Sequence, residues 1–234
     1  MRKYLGPFMC VLIVVAMLTG WVAPAWADQP AVLFPRTIYL VRHGDYDTKQ
    51  DLPDGGPLTA LGLAQARLVA ARLAGLTVKI DSITSSTMRR AEQTAAEIGR
   101  LFPTIEVKKT ASLRECTPPT WRADIMKTTT PAETQAAQAQ LDRAFAELFV
   151  AATGYERHEI VVCHGNVIRY FVTKALGVDT KAWLGMSLAH GSLTTIQVTP
   201  SGSFRVLGFG DSGHIPPNLV SGLTATSAPK LVAK

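Results

Sequence analysis

Hydrophobic and polar positions predict strands and helices in alternation from residue 36 onward. The run from Arg36 to Arg42 is β-branched and apolar and ends at a polar turn, the pattern of a buried strand. A helix opens after Thr59, a side chain suited to cap it, carries Leu61, Gln65, Leu68, Ala71 and Arg72, and stops at Gly75. Residues 81–85 predict a second strand and Thr87 to Leu101 a second helix, with Pro103 beyond its end. A weak strand follows over 105–108. Residues 112–131, rich in proline and threonine, read as an irregular excursion. Glu133 to Ala152 predicts a long amphipathic helix with Leu141, Phe145, Leu148 and Phe149 near one face. The clearest strand is Glu159 to Cys163, followed by a helix from Val167 to Leu176 that Gly177 ends. Leu193 to Thr199 and Phe204 to Leu207 predict a hairpin turning at Pro200 to Gly202. Strand-helix alternation of this kind implies a three-layer α/β/α sandwich around a mostly parallel central sheet.

The ends of the chain read differently. Arg2 and Lys3 precede an uncharged apolar stretch from Phe8 to Leu18, and Ala25-Trp26-Ala27 is a small-x-small site. This predicts a signal peptide over 1–27, the apolar stretch falling short of the roughly 20 residues of a bilayer span. Export to the periplasm or medium is the resulting expectation, with an uncleaved N-terminal membrane anchor as the alternative. Residues 28–35 read as a linker, 36–220 as one domain and 221–234, rich in Ala, Ser, Thr, Pro and Lys, as a disordered tail.

Composition narrows the chemistry. The formal charge of +6 mildly favours an anionic substrate, although a solvated basic surface is the commoner explanation. No long Lys/Arg run and no basic-aromatic interleaving points to nucleic acid. The three cysteines form no C-x-x-C, and no H-E-x-x-H occurs, so a structural or catalytic zinc is not expected. A homo-oligomer stays open.

Two histidines close the two best strands, His43 after Arg42 and His164 after Cys163. Open α/β sheets bind ligands at the carboxyl edge, so the imidazoles can share one crevice. Gly44 and Gly165 follow them and let backbone approach a ligand. Asn166 stands where it can donate to a phosphate oxygen or cap its helix. Ser85-Ser86 ends the second strand with Arg89 and Arg90 just beyond, and guanidinium forks suit phosphate oxygens. Glu115 lies past the third strand. A histidine nucleophile, cations for the equatorial oxygens and a carboxylic acid for the leaving group are the parts needed for phosphoryl transfer through a phosphohistidine.

Arg42-His43-Gly44, Pro57-Leu58-Thr59 with Gly62, Ser85-Ser86-x-x-x-Arg90-Ala91-x-Gln93-Thr94, Leu113-x-Glu115 and Cys163-His164-Gly165-Asn166 together resemble the histidine phosphatase superfamily, the phosphoglycerate mutase-like branch 1. The resemblance implies that His43 is phosphorylated, that Arg42, Arg90 (not Arg89) and His164 line the phosphate pocket, and that Glu115 is the proton donor. It also implies a metal-free phosphomonoesterase acting on a phosphorylated small molecule or phosphoprotein. Within the superfamily the C-terminal half is similar to the member 5 branch of serine/threonine protein phosphatases, through residues 162–170, Trp183, Ser187-Leu188, residues 191–194 and residues 210–217. Tyr46 fits that branch as well. Gly44 and Gly165 depart from it, since it carries Ser and Ala there. A phosphoglycerate mutase is the weaker reading, because Asp45, Tyr46 and Asp47 stand where mutases place sugar-acid contacts. An envelope glycan or lipid-headgroup phosphatase and a silent phospho-ligand adaptor are the remaining alternatives. His190, near Gly191-Ser192, reads first as a surface residue, with its backbone or ring reaching the pocket as the alternative, and Asp45 and Asp47 read as charges repelling a second anionic group.

Overall fold

The computed structural model describes residues 31–49, 52 and 54–223, so the expected signal over 1–27 and most of the expected tail lie outside the described residues. Its elements are strand β1 (Leu33–Phe34), β2 (Arg36–Arg42), helix α1 (Ala60–Ala74), β3 (Ser82–Ser86), α2 (Arg89–Gly99), β4 (Val107–Thr110), α3 (Ala123–Met126), α4 (Pro131–Leu148), β5 (Ala152–Thr153), β6 (Arg157–Cys163), α5 (Gly165–Leu176), β7 (Leu193–Val198) and β8 (Phe204–Asp211).

Strand alternation divides the interior in two. Ile38 and Leu40 of β2, with Val161 and Cys163 of β6, face a core completed by Leu141 and Phe145 of α4 and by Val167, Ile168 and Phe171 of α5. Tyr39 and Val41, with Ile160 and Val162, face the opposite core against Val69 and Leu73 of α1 and Ala91, Ala95 and Ile98 of α2. Both faces of the sheet are therefore covered by helices, the three-layer arrangement expected from the alternation. Each fully buried aliphatic side chain contributes about 1.5–3 kcal/mol.

The sheet order is β4-β3-β6-β2-β7-β8. The first four strands are parallel, whereas β7 and β8 are antiparallel. Register aligns the carboxyl ends: Arg42 sits beside Cys163, Ser85 beside Val162, and Ser86 beside Thr110. Because β7 runs the other way, its start lies at the same edge, with Leu193 beside Val41. The end of β8 returns there too, with Asp211 opposite Leu193. One edge thus collects four strand ends, the entry to β7 and the exit from β8.

Local chemistry explains where the elements depart from expectation. Helix α4 starts before residue 133 because Thr130 and Glu133 form a reciprocal capping box and Pro131 takes the first turn. It stops at Leu148, and Ala152–Thr153 leave it to pair with Leu33–Phe34 inside the expected linker. Helix α2 starts at Arg89, whose N–H donates to the Asp54 carbonyl in the preceding loop. Helix α5 begins directly after His164, which caps it without using its ring. The tail expected from Ser221 is engaged at its start: Ser221 accepts from His190 N through its carbonyl and from Gln65 Nε2 through its hydroxyl. Cys116 and Cys163 are both free thiols.

Two substitutions separate core packing from capping. Leu141→Ala, at a fully buried position, should lower the unfolding free energy by about 2–5 kcal/mol. Thr130→Ala should lower it by about 1 kcal/mol. Urea titrations with unchanged m-values check both, and equal losses would contradict this assignment of α4.

Candidate active site

His43 leaves β2 with its N–H donating to the Cys163 carbonyl, which locks the end of β2 against the end of β6. Its ring is almost fully buried. Nδ1 lies 2.8 Å from the Gly44 carbonyl oxygen. A carbonyl only accepts, so Nδ1 carries the proton and Nε2 keeps its lone pair. Arg90 Nε donates to that Nε2 at 3.0 Å. Burial foremost, and then the nearby His164, Arg90 and Arg42, hold the His43 pKa well below its ordinary value. The ring is neutral, and Nε2 is the nitrogen that keeps a lone pair.

Gly44 is required by the fold of this turn. A Cβ there would lie 2.3 Å from the Gly62 carbonyl oxygen, in backbone that cannot yield. Gly44 N donates to Thr94 Oγ1, which itself donates to the Arg90 carbonyl, tying the turn after His43 to α2. At Gly165 a Cβ would meet only ordinary contacts, the nearest being Arg42 Nε at 3.4 Å, so glycine is not demanded there.

Around His43 the strand ends bring in the remaining groups. His164 packs beside it with ring centroids 5.0 Å apart. Its Nε2 lies 2.8 Å from Ser86 Oγ at the end of β3, and burial first, then Arg90 and Arg42, lower its pKa. His164 Nδ1 and Arg42 Nε are both buried without a hydrogen-bond partner. Such orphaned groups are costly unless a ligand completes them. Arg42 spends Nη1 on the Leu188 and Gly222 carbonyls, and burial lowers its pKa to about 10 although Glu115 opposes the shift. Arg90 is buried with its guanidinium 4.4 Å over the Tyr46 ring, while Tyr46 meets His43 edge-on at 5.1 Å. Arg89 is exposed, so Arg90 is the arginine of this pair that faces the site.

Glu115 follows the short 3-10 turn after β4. One carboxylate oxygen accepts from the Asn166 N–H at 3.1 Å, at the first turn of α5. Burial raises its pKa, outweighing Arg90, Arg42, Arg169 and that N–H. Ligand atoms of His43, His164 and Glu115 lie within 4.8 Å of one another, and among the described residues this is the group able to hold a metal ion. Arg90 and Arg42 crowd the same side chains with positive charge, which suits an oxyanion better than a second cation.

Other residues differ from expectation. Asn166 neither caps its helix nor points a free amide at the pocket: Nδ2 donates to the Cys116 carbonyl and Oδ1 accepts from Arg169. Its backbone N–H, on Glu115, is its contribution to the site. His190 is buried rather than superficial, its ring 5.4 Å from His43. Asp45 accepts from Thr59 Oγ1 at 2.7 Å, so its charge anchors the turn after His43 to the start of α1. Arg169 was not singled out from the sequence; it bridges the Gly165 and Met186 carbonyls beside Glu115. A helix-interior arginine carries no sequence signal for such a place. For His190 the signal was the predicted hairpin, had its first strand been paired antiparallel with β2.

Comparison with known proteins decides the family. The sequence family described as Histidine phosphatase superfamily (branch 1) matches residues 38–141 and 118–212. The chain belongs to this superfamily. Among curated relatives of this histidine phosphatase, the mitochondrial serine/threonine-protein phosphatase Pgam5 of Caenorhabditis elegans is 37% identical over 191 residues, covering 80% of this chain and 66% of the relative. Its Homo sapiens counterpart is 33% identical over 196 residues with the same coverage. The chain thus spans a little under two thirds of the length of these relatives. Bacillus stearothermophilus YhfR shares the fold with a TM-score of 0.63 at 22% identity, covering 77% of this chain and all of that one.

These relatives correct the expectation of an exported, periplasmic or secreted protein: they are mitochondrial proteins. Hydropathy of a short basic-apolar segment names no compartment, which is why the sequence misled. The envelope-substrate reading, drawn from export and mild basicity, loses the first of its two supports. Among the described residues no helix is long and apolar enough to cross a membrane.

The buried neutral histidines fix the sign of an acid effect. Folded-state pKa values of His43, His164 and His190 lie below the unfolded value near 6.5, with His190 at about 4. Between those limits the unfolded chain binds protons that the folded chain refuses, so stability should fall as pH drops from 6.5 toward 5. The slope approaches roughly 1.4 kcal/mol per pH unit for each histidine. Glu115, with its raised pKa, works in the opposite sense but as one group against three. Urea unfolding at pH 7 and pH 5 checks this, and equal or greater stability at pH 5 would contradict it.

Proposed function

We propose that this chain is a phosphomonoester hydrolase that works through a phosphohistidine on His43. The observation that carries the reading is the single available nitrogen of His43, faced by orphaned donors on Arg42 and His164 and by the Glu115 carboxyl. His43 Nε2 attacks phosphorus, and Arg90 turns from that nitrogen to the incoming phosphoryl oxygens. Arg42, Arg90 and His164 donate to the oxygens as charge spreads over them. Glu115, whose pKa burial raises, gives a proton to the departing alcohol oxygen. The resulting carboxylate then takes a proton from water as that water attacks the phosphohistidine, which releases phosphate and restores His43.

The substrate class we favour is phosphoserine and phosphothreonine in proteins, supported by the names of the curated relatives; small phosphoesters are the second choice. A silent adaptor would have no use for a nucleophile, an acid and three donors at one strand edge.

The full chain should hydrolyse p-nitrophenyl phosphate in excess EDTA, and His43→Ala should abolish this turnover. Glu115→Gln should slow hydrolysis of a phosphoserine peptide by about 10²–10⁴-fold. In kcat/KM, which reports phosphorylation of His43 and not the later water attack that also needs Glu115, it should slow p-nitrophenyl phosphate much less, because nitrophenolate leaves without a proton. Equal slowing of both substrates would remove Glu115 from the leaving-group role, and turnover surviving in His43→Ala would remove the phosphohistidine.

A further inference from the structure

Arg42 reaches the pocket from a strand end, yet nearly all of its guanidinium is held by protein. Nη1 is bound by two carbonyls, and Nη2 lies 3.0 Å from His190 Nε2. A guanidinium has no lone pair to offer, so Nη2 donates and His190 Nε2 accepts. The His190 proton then sits on Nδ1, which faces Ser221 Oγ at 3.0 Å and the Asp45 carboxylate at 3.5 Å. The Nε edge of Arg42 is left unpartnered beside Gly165, at the first turn of α5.

From this chain of contacts we infer that His190 is a positioning residue that holds the Arg42 guanidinium with its Nε edge toward the substrate phosphoryl group. The inference rests on the phosphatase reading above. Asp45 and Ser221 select the one His190 tautomer able to accept from arginine. The opposite tautomer would present an N–H to a guanidinium and push it away. The chain after β8 closes the arrangement. Gly222 adopts φ +79°, and a Cβ there would lie 2.8 Å from His190 Nδ1 and 2.9 Å from Arg42 Nη1. Its carbonyl accepts from Arg42 in turn. Without the His190 acceptor, Arg42 Nη2 would be left buried and unsatisfied, and the guanidinium would turn from the phosphoryl site to find a partner.

Two substitutions in the full chain test the role. His190→Leu removes the acceptor, whereas His190→Gln returns an amide oxygen close to the position of Nε2. The leucine variant should lose about 10- to 100-fold in kcat/KM for p-nitrophenyl phosphate. Its inhibition constant for orthovanadate should rise in parallel, and the glutamine variant should regain most of both. A merely structural role would lower both variants in step with their thermal stability, and that result would overturn the proposal. A direct reading needs no variant: nitrogen NMR of the wild-type chain at pH 7 should show His190 neutral and protonated on Nδ1. Protonation on Nε2, or an imidazolium, would overturn the proposal even if the leucine variant did not fold. Active wild type with an indifferent His190→Leu would sink this inference alone. Inactive wild type, indistinguishable from His43→Ala, would sink the phosphatase reading and leave the tautomer measurement standing.

Discussion

The hydrogen bond from His43 Nδ1 to the Gly44 carbonyl is short, buried and local, and the rest of the site is arranged around its consequence. It decides which nitrogen is nucleophilic. It exists only because the backbone turns sharply enough after β2 to bring that carbonyl under the ring. The turn is held by close approach of Gly44 to Gly62, by Asp45 on Thr59 and by Gly44 N on Thr94. Each tie runs to α1 or α2, the two helices covering one face of the sheet. Packing of that layer is thereby coupled to the orientation of a single imidazole.

Electrostatics follow from placing such a ring among cations. Arg42, Arg90 and Arg169 converge where three histidines are buried, and each histidine responds by staying neutral. A charged imidazole here would be both desolvated and repelled. The arginines keep their charge at physiological pH, and Glu115 supplies the carboxyl among them. The pocket therefore holds more positive charge than it balances internally, a state that a bound phosphoryl group relieves.

Much of this was legible in the sequence, for a physical reason. Parallel strands place their carboxyl ends at one edge, so residues following apolar runs, such as His43, Ser86 and His164, could be assigned to a common crevice without coordinates. Glu115 and Arg90 were legible through their distance from those runs. His190 was legible only as the second choice, because an antiparallel neighbour reverses the rule and brings the residue before a strand, rather than after it, to the edge. Ser221 and Gly222, beyond the exit of β8, were hidden by a composition that resembles a loose tail. Asn166 was misjudged differently: its side-chain partners, the Cys116 carbonyl and Arg169, lie on an irregular loop and a helix face that no periodicity describes.

The central claim is that chemistry passes through Nε2 of His43. The most direct measurement is to quench the full chain carrying Glu115→Gln in alkali during turnover of p-nitrophenyl phosphate and to locate the retained phosphate by phosphorus NMR and peptide mapping. The account predicts an acid-labile phosphate on Nε2 of His43, enriched because water attack has lost its base. Phosphate on Nδ1, on another residue, or on none while turnover proceeds would contradict it.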